Sequence, residues 1–586
     1  MLAAILAVGL GLRLWGIGFS ASTPVGRPDE EFFAVGALHL FAGPYDRLST
    51  GWPDLFFKLW HAVLWLEHAW YGHRFGATVN MGCLVAVNAH AAFVPIRVVS
   101  ALLGAVTAWI VARIAAELVP ERAQAAAAWA AAFYAVNYLV GRDGHFAVSD
   151  ALLCFEVALT LLCCVRAVSR GPRWLVAAAF CAGTAFSTKY SAIGLAFPCL
   201  AAAAETLARD RRRAAVPIAL AALAAMAGLL CWSPDIVTHW AEFQRGFGGH
   251  FSRYGAHVSS PPGGVFYGTV VFPVTFGWPG FLLCLGGLGW CLHQRRGISL
   301  VVYAFMYYAC VLGPLRETFI RYGSPLVPAL AVFGGTAAAL LVERLAARMT
   351  RGPAIAVVVL LALAVPAARL LAFDRLLARG DTRDLARDWL VARGQDQVIL
   401  TRGLYAHVHA VEASVAAVCR RELPAALWRP TPILPAPTAP IPPEPGETGW
   451  TVDARWLPDR LASRPAAAGQ GRQGWERIGF LGVQRFLMWE YDQRLGFTDL
   501  HAAGAPDYLA SAWGPRAVIW TVGRDKPAPF DGRCWAPVAH FSPGRLEAAR
   551  WDNFDAFVVP FTDFAAVDRT GPEISIDKNI CKPASK

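Results

Sequence analysis

Three adjacent acidic residues near the start of the chain are the first group that can do chemistry. Asp29, Glu30 and Glu31 follow Arg27 and Pro28, shortly after the first long apolar run. Carboxylates at such a position can take a proton from a hydroxyl group or bind a divalent cation. The same residues can also do no more than stabilise the first turn of a helix, because acidic side chains are favourable near a helix N-terminus. The cluster alone therefore does not separate a catalytic role from a structural one.

Two further polar groups interrupt the apolar sequence later in the chain. Asp150 opens a long apolar run and is preceded by Arg142 and His145, whereas Lys189 and Tyr190 lie where two apolar runs meet. Ionisable residues at such places are costly and often line a polar cavity. The structural alternatives are that Asp150 caps its helix and that Lys189 extends its amine to the membrane interface.

Basic and aromatic residues cluster in two later connections. They are His250 and Arg253 in one connection, and Arg316, Arg321 and Tyr322 in the other. Guanidinium and ammonium groups bind phosphate through charge-assisted hydrogen bonds, so these clusters predict a site for an anionic, phosphate-bearing substrate. Lys189, Arg253 and Arg321 are predicted to converge on the phosphate, with His250 and Tyr322 nearby. The alternative is that the arginines only anchor the chain to lipid headgroups.

The composition places these residues in a membrane protein. The chain has 586 residues, of which 56% are hydrophobic and 16% are charged, whereas soluble domains carry about 25% charged residues. Its mean hydropathy is +0.41. The net charge of +11 does not indicate nucleic-acid binding, because the arginines are concentrated in short connections between apolar runs, which is the pattern of membrane orientation. We therefore predict no nucleic-acid partner.

The apolar residues gather in segments of roughly 15–25 residues, which is enough to cross the hydrocarbon core of a bilayer. They lie at residues 1–19, 94–118, 123–141, 151–168, 174–189, 191–207, 214–233, 265–292, 298–313, 324–342 and 354–373. The sequence therefore predicts an all-α polytopic membrane bundle of about eleven transmembrane helices over residues 1–373. The first segment can alternatively be a signal peptide, but it lacks a basic n-region, and we interpret it as an uncleaved helix.

The arginines also predict the orientation of the bundle. Four connections carry them: Arg166, Arg170 and Arg173; Arg209, Arg211, Arg212 and Arg213; Arg295 and Arg296; and Arg344, Arg348 and Arg351. Lysine and arginine stay on the cytoplasmic side, so these connections and the N-terminus are predicted to lie inside, and the C-terminal residues outside. The external connections are then 20–93, 142–150, 234–264 and 314–323. The polar clusters described above all fall on this external face of the cell membrane.

Residues 374–586 have the composition of a soluble sequence and are predicted to form a small external α/β domain. A polar helix is predicted over residues 381–390, and strands are predicted at 398–400, 517–522 and 554–561. A proline-rich segment at 424–447 is predicted to be extended.

The cysteines give no indication of catalysis. Ten of the thirteen, from Cys83 to Cys310, fall in or beside apolar runs and are predicted to behave as small apolar residues. Cys419, Cys534 and Cys581 lie in the C-terminal region, where one disulfide can form in an oxidising compartment with one thiol left over.

The order of the polar residues resembles a known enzyme family. Arg13 lies in the first apolar run, the Pro28–Asp29–Glu30 sequence follows it, and Arg97 opens the next run; the stretch from His145 to Asp150, Thr188 with Lys189, and Arg321 with Tyr322 come later. This pattern is similar to that of the GT-C glycosyltransferase superfamily, and in particular to its bacterial branch related to protein O-mannosyltransferases and the lipid A aminoarabinose transferase. The resemblance covers approximately residues 1–373 and implies a bundle of GT-C type.

The resemblance implies an enzyme that moves a sugar from a polyprenyl phosphate to an acceptor hydroxyl outside the cytoplasm, usually with inversion. Asp29 matches the acid taken as the general base, Glu30 matches its neighbour, and Asp150 matches the second acidic position. Lys189 matches a lysine that often follows a threonine in the aminoarabinose transferase. That transferase also has a Glu-Lys-Pro element after its first acidic pair, whereas residues 49–54 here contain no lysine. The divalent metal of that branch and its lipid A acceptor therefore stay open.

The predicted site combines these matches with the basic clusters. Its catalytic residues are Asp29, Glu30 and Asp150. Its substrate-binding residues are Arg27, Arg142, His145, Lys189, Tyr190, His250, Arg253, Arg321 and Tyr322. The predicted partners are a polyprenyl-phosphate sugar donor and membrane lipid, and the acceptor can be a protein, a glycan or a lipid.

Two other classes of protein remain as alternatives. A non-catalytic relative can serve as a membrane scaffold or binding protein, because an acidic residue at position 29 does not by itself prove turnover. A secondary transporter can use Asp150 and Lys189 as coupling charges, although such folds are built from inverted repeats and broken helices, and the sequence indicates neither.

Overall fold

A computed structural model describes residues 1–20, 26–27, 29–41, 52–256, 261–316, 318–393, 399–402, 411–431, 433–434, 508–513, 534–552 and 559–581. The chain divides into two units. The first comprises Met1–Trp15, Asp46–Phe56 and Arg97–Asp374, and the second comprises Gly16–Tyr45, Phe57–Ile96 and Arg375–Lys586. The second unit therefore joins parts of the predicted first external connection to the C-terminal region.

The helices are numbered here in chain order. The earlier ones are α1 (Leu2–Leu14), α2 (Glu30–His39), α3 (Leu55–Phe75), α4 (Met81–Val87), α5 (Ala89–Leu118), α6 (Ala123–Ala135), α7 (Tyr138–Asp143), α8 (Asp150–Arg170), α9 (Trp174–Phe186), α10 (Ala196–Arg209) and α11 (Arg211–Trp232). The later ones are α12 (Asp235–Thr238), α13 (Trp240–Ala256), α14 (Gly263–Phe266), α15 (Phe272–Phe276), α16 (Trp278–His293), α17 (Ile298–Met306), α18 (Val327–Ala346), α19 (Arg351–Ala362), α20 (Ala364–Leu377), α21 (Thr382–Val391) and α22 (Ala413–Glu422).

Several helical segments have the length and composition of membrane spans. In the described residues, five single segments qualify: Ala89–Leu118, Asp150–Arg170, Tyr190–Arg209, Arg211–Trp232 and Ile320–Ala346. The number rises to seven if each of two bent helix pairs is one span, and three shorter apolar helices accompany them. The predicted multi-pass bundle is confirmed, and the predicted number of about eleven spans is confirmed only in part.

Two of the predicted spans are broken, and on this point the sequence analysis was wrong. Gly263–Phe276 and α16 meet at an angle of 112°, and α19 and the helix that follows it at 54°. At the first break, Gly277 has a φ of 71°, in the left-handed region that a residue without a Cβ adopts at little cost. At the second, Pro366 lies in the first turn of α20, where its missing N–H is tolerated.

Two other boundaries also differ from the predicted ones. The predicted span at 123–141 is interrupted after α6, and the Asn137 side chain accepts hydrogen bonds from the first backbone amides of α7. The predicted external connection at 20–93 contains α2, α3, α4 and the first turn of α5. Apolar periodicity missed α2 and α3 because their charged and aromatic residues interrupt the runs, and α4 is only seven residues long.

Close helix contacts in the first unit depend on small residues. Helices α9 and α11 approach each other at Gly183 and Gly228, where an added Cβ would lie 2.0 Å from the carbonyl oxygen of Ala225 and 2.2 Å from that of Phe180. Small residues allow this approach, and packing of this kind replaces the hydrophobic effect as the force between helices in lipid. The opposite face of α11 exposes apolar side chains, including Leu223.

The described C-terminal residues contain two sheets. Four strands, β1 (Ile399–Arg402), β4 (Tyr508–Trp513), β5 (Trp535–Phe541) and β6 (Glu573–Asn579), form one sheet in the order β1-β4-β6-β5. β1 pairs in parallel with β4, and β6 is antiparallel to both of its neighbours. Strands β2 (Val411–Glu412) and β3 (Ile433–Leu434) pair in parallel as a second, small sheet. Ile574 and Ile576 of β6 are fully buried.

Two predicted elements of the C-terminal region are found, whereas the described parts of two others differ from the prediction. Residues 559–561 are not in a strand, and Ala425–Leu427 form a 3₁₀ helix instead of an extended segment. Helix α21 matches the polar helix predicted at 381–390, and β1 matches the first predicted strand. The strand predicted at 517–522, most of the one at 554–561 and most of the proline-rich segment lie outside the described residues. The predicted α/β character is therefore confirmed in part.

Two disulfides tie the second unit together. Cys534 pairs with Cys581, which confirms the single disulfide predicted for this region. Cys419 is not left over, because it pairs with Cys83 of α4, 336 residues away in sequence. The prediction that Cys83 behaves as an apolar thiol was therefore wrong. The remaining nine cysteines, all in described residues of the first unit, are free.

The arginine-rich connections give a testable orientation. We expect a reporter fused after Arg213 to be cytoplasmic and one fused after Lys586 to be external, because lysine and arginine stay on the cytoplasmic side. The measurement is the activity of paired reporters that work on one side of the membrane only. The opposite result at either position would overturn the orientation.

Candidate active site

The acidic turn belongs to the second unit. Asp29 precedes the first residue of α2 with φ of 75° and ψ of −19°, and its side chain does not cap the helix. Its carboxylate is 24% exposed and lies 3.9 Å from the Arg27 guanidinium, which is nearly buried. A residue other than glycine rarely adopts this left-handed conformation, and such strain is often found at functional sites.

Helix α2 fixes this turn by burying most of its surface. Glu30 is fully buried, as are Phe33, Ala37 and Leu38 on the same helix. The ring of Phe33 packs 5.0 Å from the ring of Phe57, measured between centroids. The structure describes the backbone of Glu31 but not its side chain, and Pro28 lies outside the described residues.

A buried ion pair lies at the centre of the first unit. The Lys189 amine is 2.8 Å from the Asp150 carboxylate, and both side chains are at least nine-tenths buried. Asp150 is the first residue of α8, and Lys189 precedes the short 3₁₀ helix Tyr190–Leu195. The amine also lies 5.1 Å from the centre of the Tyr322 ring, within the range of a cation–π interaction. Three residues that the sequence analysis selected are thus neighbours.

Lys189 and Tyr322 border a cavity of about 330 Å³. Its polar lining consists mainly of Lys189, Tyr190, Arg316, Arg321 and Tyr322. The rest of the lining includes Ile193, Val311 and Leu315 and is largely apolar. Of the described residues that line this cavity, none is acidic. The cavity therefore offers positive charge next to an apolar wall.

Three buried tyrosines hold the segment that carries Arg321 and Tyr322. This segment is the 3₁₀ helix Ile320–Leu326. The hydroxyls of Tyr303 and Tyr307 donate to backbone carbonyls within this segment, those of Pro325 at 2.9 Å and Tyr322 at 3.4 Å. The Tyr267 hydroxyl donates to the carbonyl of Phe319, the residue just before the segment, at 2.6 Å. Buried carbonyls need such donors. The backbone behind the cavity is therefore fixed from several helices.

Two predicted binding residues of the first unit do not line this cavity. His145 is fully buried, with Nδ1 2.8 Å from the carbonyl oxygen of Gly141 and Nε2 3.4 Å from the Asp374 carboxylate. Arg142 lies on α7, 3.9 Å from the carboxylate of Asp143. The helix α13 carries His250 and Arg253, but their side chains lie outside the described ones.

Asp143 and Glu156 are buried acids of the first unit that were not among the predicted site residues. Asp143 accepts a hydrogen bond from the Ser324 hydroxyl, which links α7 to the segment behind the cavity. Glu156 lies on α8, six residues after Asp150, and is 4% exposed. An acidic residue inside an apolar run is a signal that could have found Glu156, because such residues are rare in membrane helices.

A third unselected acid lies on α3 of the second unit. Burial raises the pKa of Glu67 to about 9, so this carboxyl group is protonated near neutral pH and does not act as a base there.

No set of metal ligands is evident in the part of the chain that the structure describes. Groups of three or more histidine, cysteine, aspartate or glutamate side chains suited to a metal ion are absent among the described residues. The divalent metal that the resemblance left open has no identified ligands.

A family comparison supports the resemblance seen in the sequence. The family model described as dolichyl-phosphate-mannose-protein mannosyltransferase matches residues 83–237. Residues 83–237 of this chain are therefore similar to that family. The matched range includes both Asp150 and Lys189, so the buried ion pair lies in the segment with this similarity.

Similar solved structures include proteins from Cupriavidus metallidurans and Archaeoglobus fulgidus. ArnT from Cupriavidus metallidurans is 18% identical in its apo state, with 67% of this chain and 72% of that chain covered and a TM-score of 0.41. ArnT bound to undecaprenyl phosphate is 17% identical, with 87% and 92% covered and a TM-score of 0.44. The Archaeoglobus fulgidus oligosaccharyltransferase in its apo form is 14% identical, with 68% and 58% covered and a TM-score of 0.44. No curated protein sequence matches this chain.

The ion pair predicts a pattern of stabilities that does not depend on the reaction. We expect Asp150→Asn to destabilise the protein by about 3–5 kcal/mol, because it leaves the Lys189 charge buried without its partner. Lys189→Gln should also be destabilising. The double variant should lose less than the sum of the two, because it leaves neither charge behind. Unfolding of the purified protein in detergent measures all three, and strictly additive losses would contradict the pairing.

Proposed function

We propose that the protein transfers a sugar from a polyprenyl-phosphate donor to an acceptor hydroxyl at the external face of the membrane. The observation that carries this proposal is the cavity of the first unit, where basic side chains meet an apolar wall. The match to a family whose described donor is dolichyl-phosphate-mannose, a polyprenyl-phosphate sugar, supports the same class of donor.

The cavity suits both parts of such a donor. Arg316 and Arg321 supply guanidinium groups, which bind phosphate oxygens with strong and directional hydrogen bonds. Ile193, Val311 and Leu315 supply apolar surface for the start of the polyprenyl chain. We propose that the phosphate lies beside the two arginines and that the chain leaves along the apolar wall.

Lys189 can bind the same phosphate although it is paired. An ammonium group has three N–H donors, and the bond to Asp150 uses one of them. Asp150 balances the lysine charge, so the net positive charge of the cavity comes from the two arginines. In this proposal Asp150 orients the amine towards the phosphate, which is a supporting role.

The chemical step needs a base more than an acid. The bond between the anomeric carbon and the phosphate oxygen breaks, and a bond from the acceptor oxygen to that carbon forms with inversion. The leaving group is already a phosphate, so nearby cations suffice to stabilise its developing charge. The acceptor hydroxyl must lose its proton, and we propose that Asp29 takes it. Glu30, buried beside it in sequence, is proposed to support the turn.

The external location rests on two independent features. The arginine clusters predict that the residues after the last span lie outside the cytoplasm. Both disulfides lie in the second unit, and structural disulfides persist in oxidising compartments rather than in the cytosol. These features support an external second unit that contains the acidic turn.

A secondary transporter is the second candidate. The two bent helix pairs favour it, because transporters build their binding sites at broken helices. A labelled polyprenyl-phosphate sugar incubated with purified protein separates the candidates. Transfer of sugar or slow hydrolysis of the donor supports the enzyme, and flux into sealed vesicles supports the transporter. If neither activity is detected, the scaffold is supported.

The proposed phosphate site predicts a loss of donor affinity. We expect neutral replacement of Lys189, Arg253 or Arg321 to weaken the binding of undecaprenyl phosphate by about 1.5–3 kcal/mol, which is the contribution of a charge-assisted hydrogen bond. Arg209→Gln, which changes the exposed last residue of α10, is the matched control and should bind normally. Affinity that none of the three replacements changes would favour arginines that only anchor lipid headgroups.

The proposed base predicts a large loss of rate with little loss of binding. We expect Asp29→Asn to lower the transfer rate by about a hundred- to ten-thousand-fold, because the amide keeps the shape of the side chain but cannot accept the proton. Glu30→Gln should have a smaller effect, and Asp150→Asn an intermediate one. Retention of the Cys83–Cys419 disulfide on a non-reducing gel checks the fold. If Asp29→Asn transfers sugar at the unmodified rate, the assignment is wrong and Asp150 becomes the next candidate.

A further inference from the structure

Arg383 is a buried arginine for which neither the sequence nor the family comparison suggested a role. It is the second residue of α21, in the second unit, and is 1% exposed. Its guanidinium forms a two-pronged contact with Asp381, with Nε 2.9 Å from Oδ1 and Nη2 3.0 Å from Oδ2. Asp381 Oδ1 also accepts the backbone N–H of Arg383 at 2.9 Å. The plane of the guanidinium is therefore fixed from one side.

The same guanidinium also contacts two residues that precede the acidic turn in sequence. Nη2 donates to the Ser20 hydroxyl at 2.7 Å and to the Gly26 carbonyl at 3.1 Å. These two residues precede Asp29 by nine and three positions, and they are more than 350 residues before Arg383 in sequence. One side chain thus contacts two described residues that precede Asp29 in sequence.

Arg27, the residue after Gly26, interacts with both Asp29 and Glu30. The carbonyl of Arg27, the next residue, accepts the backbone N–H of Glu30 at 3.3 Å. The side chain of Arg27 lies 3.9 Å from the Asp29 carboxylate, and the charge of Glu30 also interacts favourably with Arg383. The left-handed backbone of Asp29 persists only if its surroundings hold it there.

The sheet of the second unit supports Arg383 from behind. Thr382 donates its hydroxyl to the Pro572 carbonyl at 2.6 Å and its backbone N–H to the Thr570 carbonyl at 3.0 Å. Gly571 lies between them with φ of 101°, and an added Cβ there would lie 2.5 Å from the Asp381 carboxylate. Strand β6 follows directly and is an interior strand of the four-stranded sheet. The turn is therefore connected to a segment that leads into an interior strand of the sheet.

We propose that Arg383 is a positioning residue that holds the turn containing Asp29 in the place required for proton transfer. The inference rests on the proposed function of Asp29 and adds a role for the C-terminal residues in the same reaction. Arginine is needed because its Nε and Nη2 together hold the Asp381 carboxylate, while Nη2 also reaches Ser20 and Gly26. A lysine keeps the charge but has a single nitrogen.

The test compares Arg383→Lys with Arg387→Gln in the full chain. Arg387 is on the same helix, pairs with the neighbouring Asp388 and contacts none of the residues of the turn in the bonds described, so its variant should behave as the unmodified protein. We expect Arg383→Lys to lower kcat by about ten- to a hundredfold, the effect of a misplaced catalytic group. KM for the donor should stay within about twofold, because the proposed donor site is the basic cavity of the first unit.

A second measurement does not need activity. Asp29→Cys places a thiol in the turn, and its rate of modification by a membrane-impermeant methanethiosulfonate is read from the mass of the peptide. We expect Arg383→Lys to raise that rate several-fold and Arg387→Gln to leave it unchanged. Ser20→Ala removes one contact and keeps the Asp381 pair, so it should also lower kcat and raise the labelling rate, but by less than Arg383→Lys does. It replaces Arg383→Lys if that variant does not fold.

The outcomes separate the two proposals. If the unmodified protein transfers no sugar, the proposed function fails, and labelling alone decides whether Arg383 holds the turn. If transfer depends on Asp29 but Arg383→Lys and Ser20→Ala leave kcat unchanged, the positioning role is overturned while the proposed function stands. Unchanged labelling overturns it as well. A lower kcat with faster labelling and an unchanged KM supports it.

Discussion

A charge stays inside an apolar helix bundle only if another polar group faces it, because an isolated buried charge is far less stable than a solvated one. This constraint organises the first unit. Lys189 and Asp150 neutralise each other although they are 39 residues apart, and Arg13 of α1 donates to the backbone carbonyl of Ala135 at the end of α6. Each such contact specifies which helices are neighbours, as apolar surface alone cannot do in lipid.

The need to pair buried polar groups also shapes the backbone behind the basic cavity. Tyrosine hydroxyls from other helices donate to three backbone carbonyls in or next to the segment that carries Arg321. The backbone at this arginine is therefore held by the protein itself. A preorganised group loses little energy to rearrangement when it binds, and this is what electrostatic stabilisation of a departing phosphate requires. The apolar wall beside it adds to the effect because it excludes water.

The sequence predicted what depends on local patterns and missed what depends on distant contacts. Long apolar runs located most helices, and the isolated charges of Asp150 and Lys189 marked positions that are indeed adjacent. Their pairing could not be derived, since residues on different helices leave no periodic signal. The Cys83–Cys419 disulfide was missed for the same reason. The break of a predicted span at Gly277 was also missed, because a single glycine in an apolar run does not by itself indicate a break. The contacts of Arg383 with the acidic turn also leave no sequence pattern, because Ser20 and Gly26 precede it by more than 350 residues.

The second unit shows why a linear division of this chain is misleading. The sequence suggests a membrane part that ends near residue 373 and a soluble part that follows. A chain cut there would separate Cys83 from Cys419 and leave Ser20 and Gly26 without the Arg383 guanidinium. The segments at residues 16–45 and 57–96 belong structurally to the C-terminal region. The acidic turn is therefore held by residues encoded at the far end of the chain, and its geometry depends on the folding of that end.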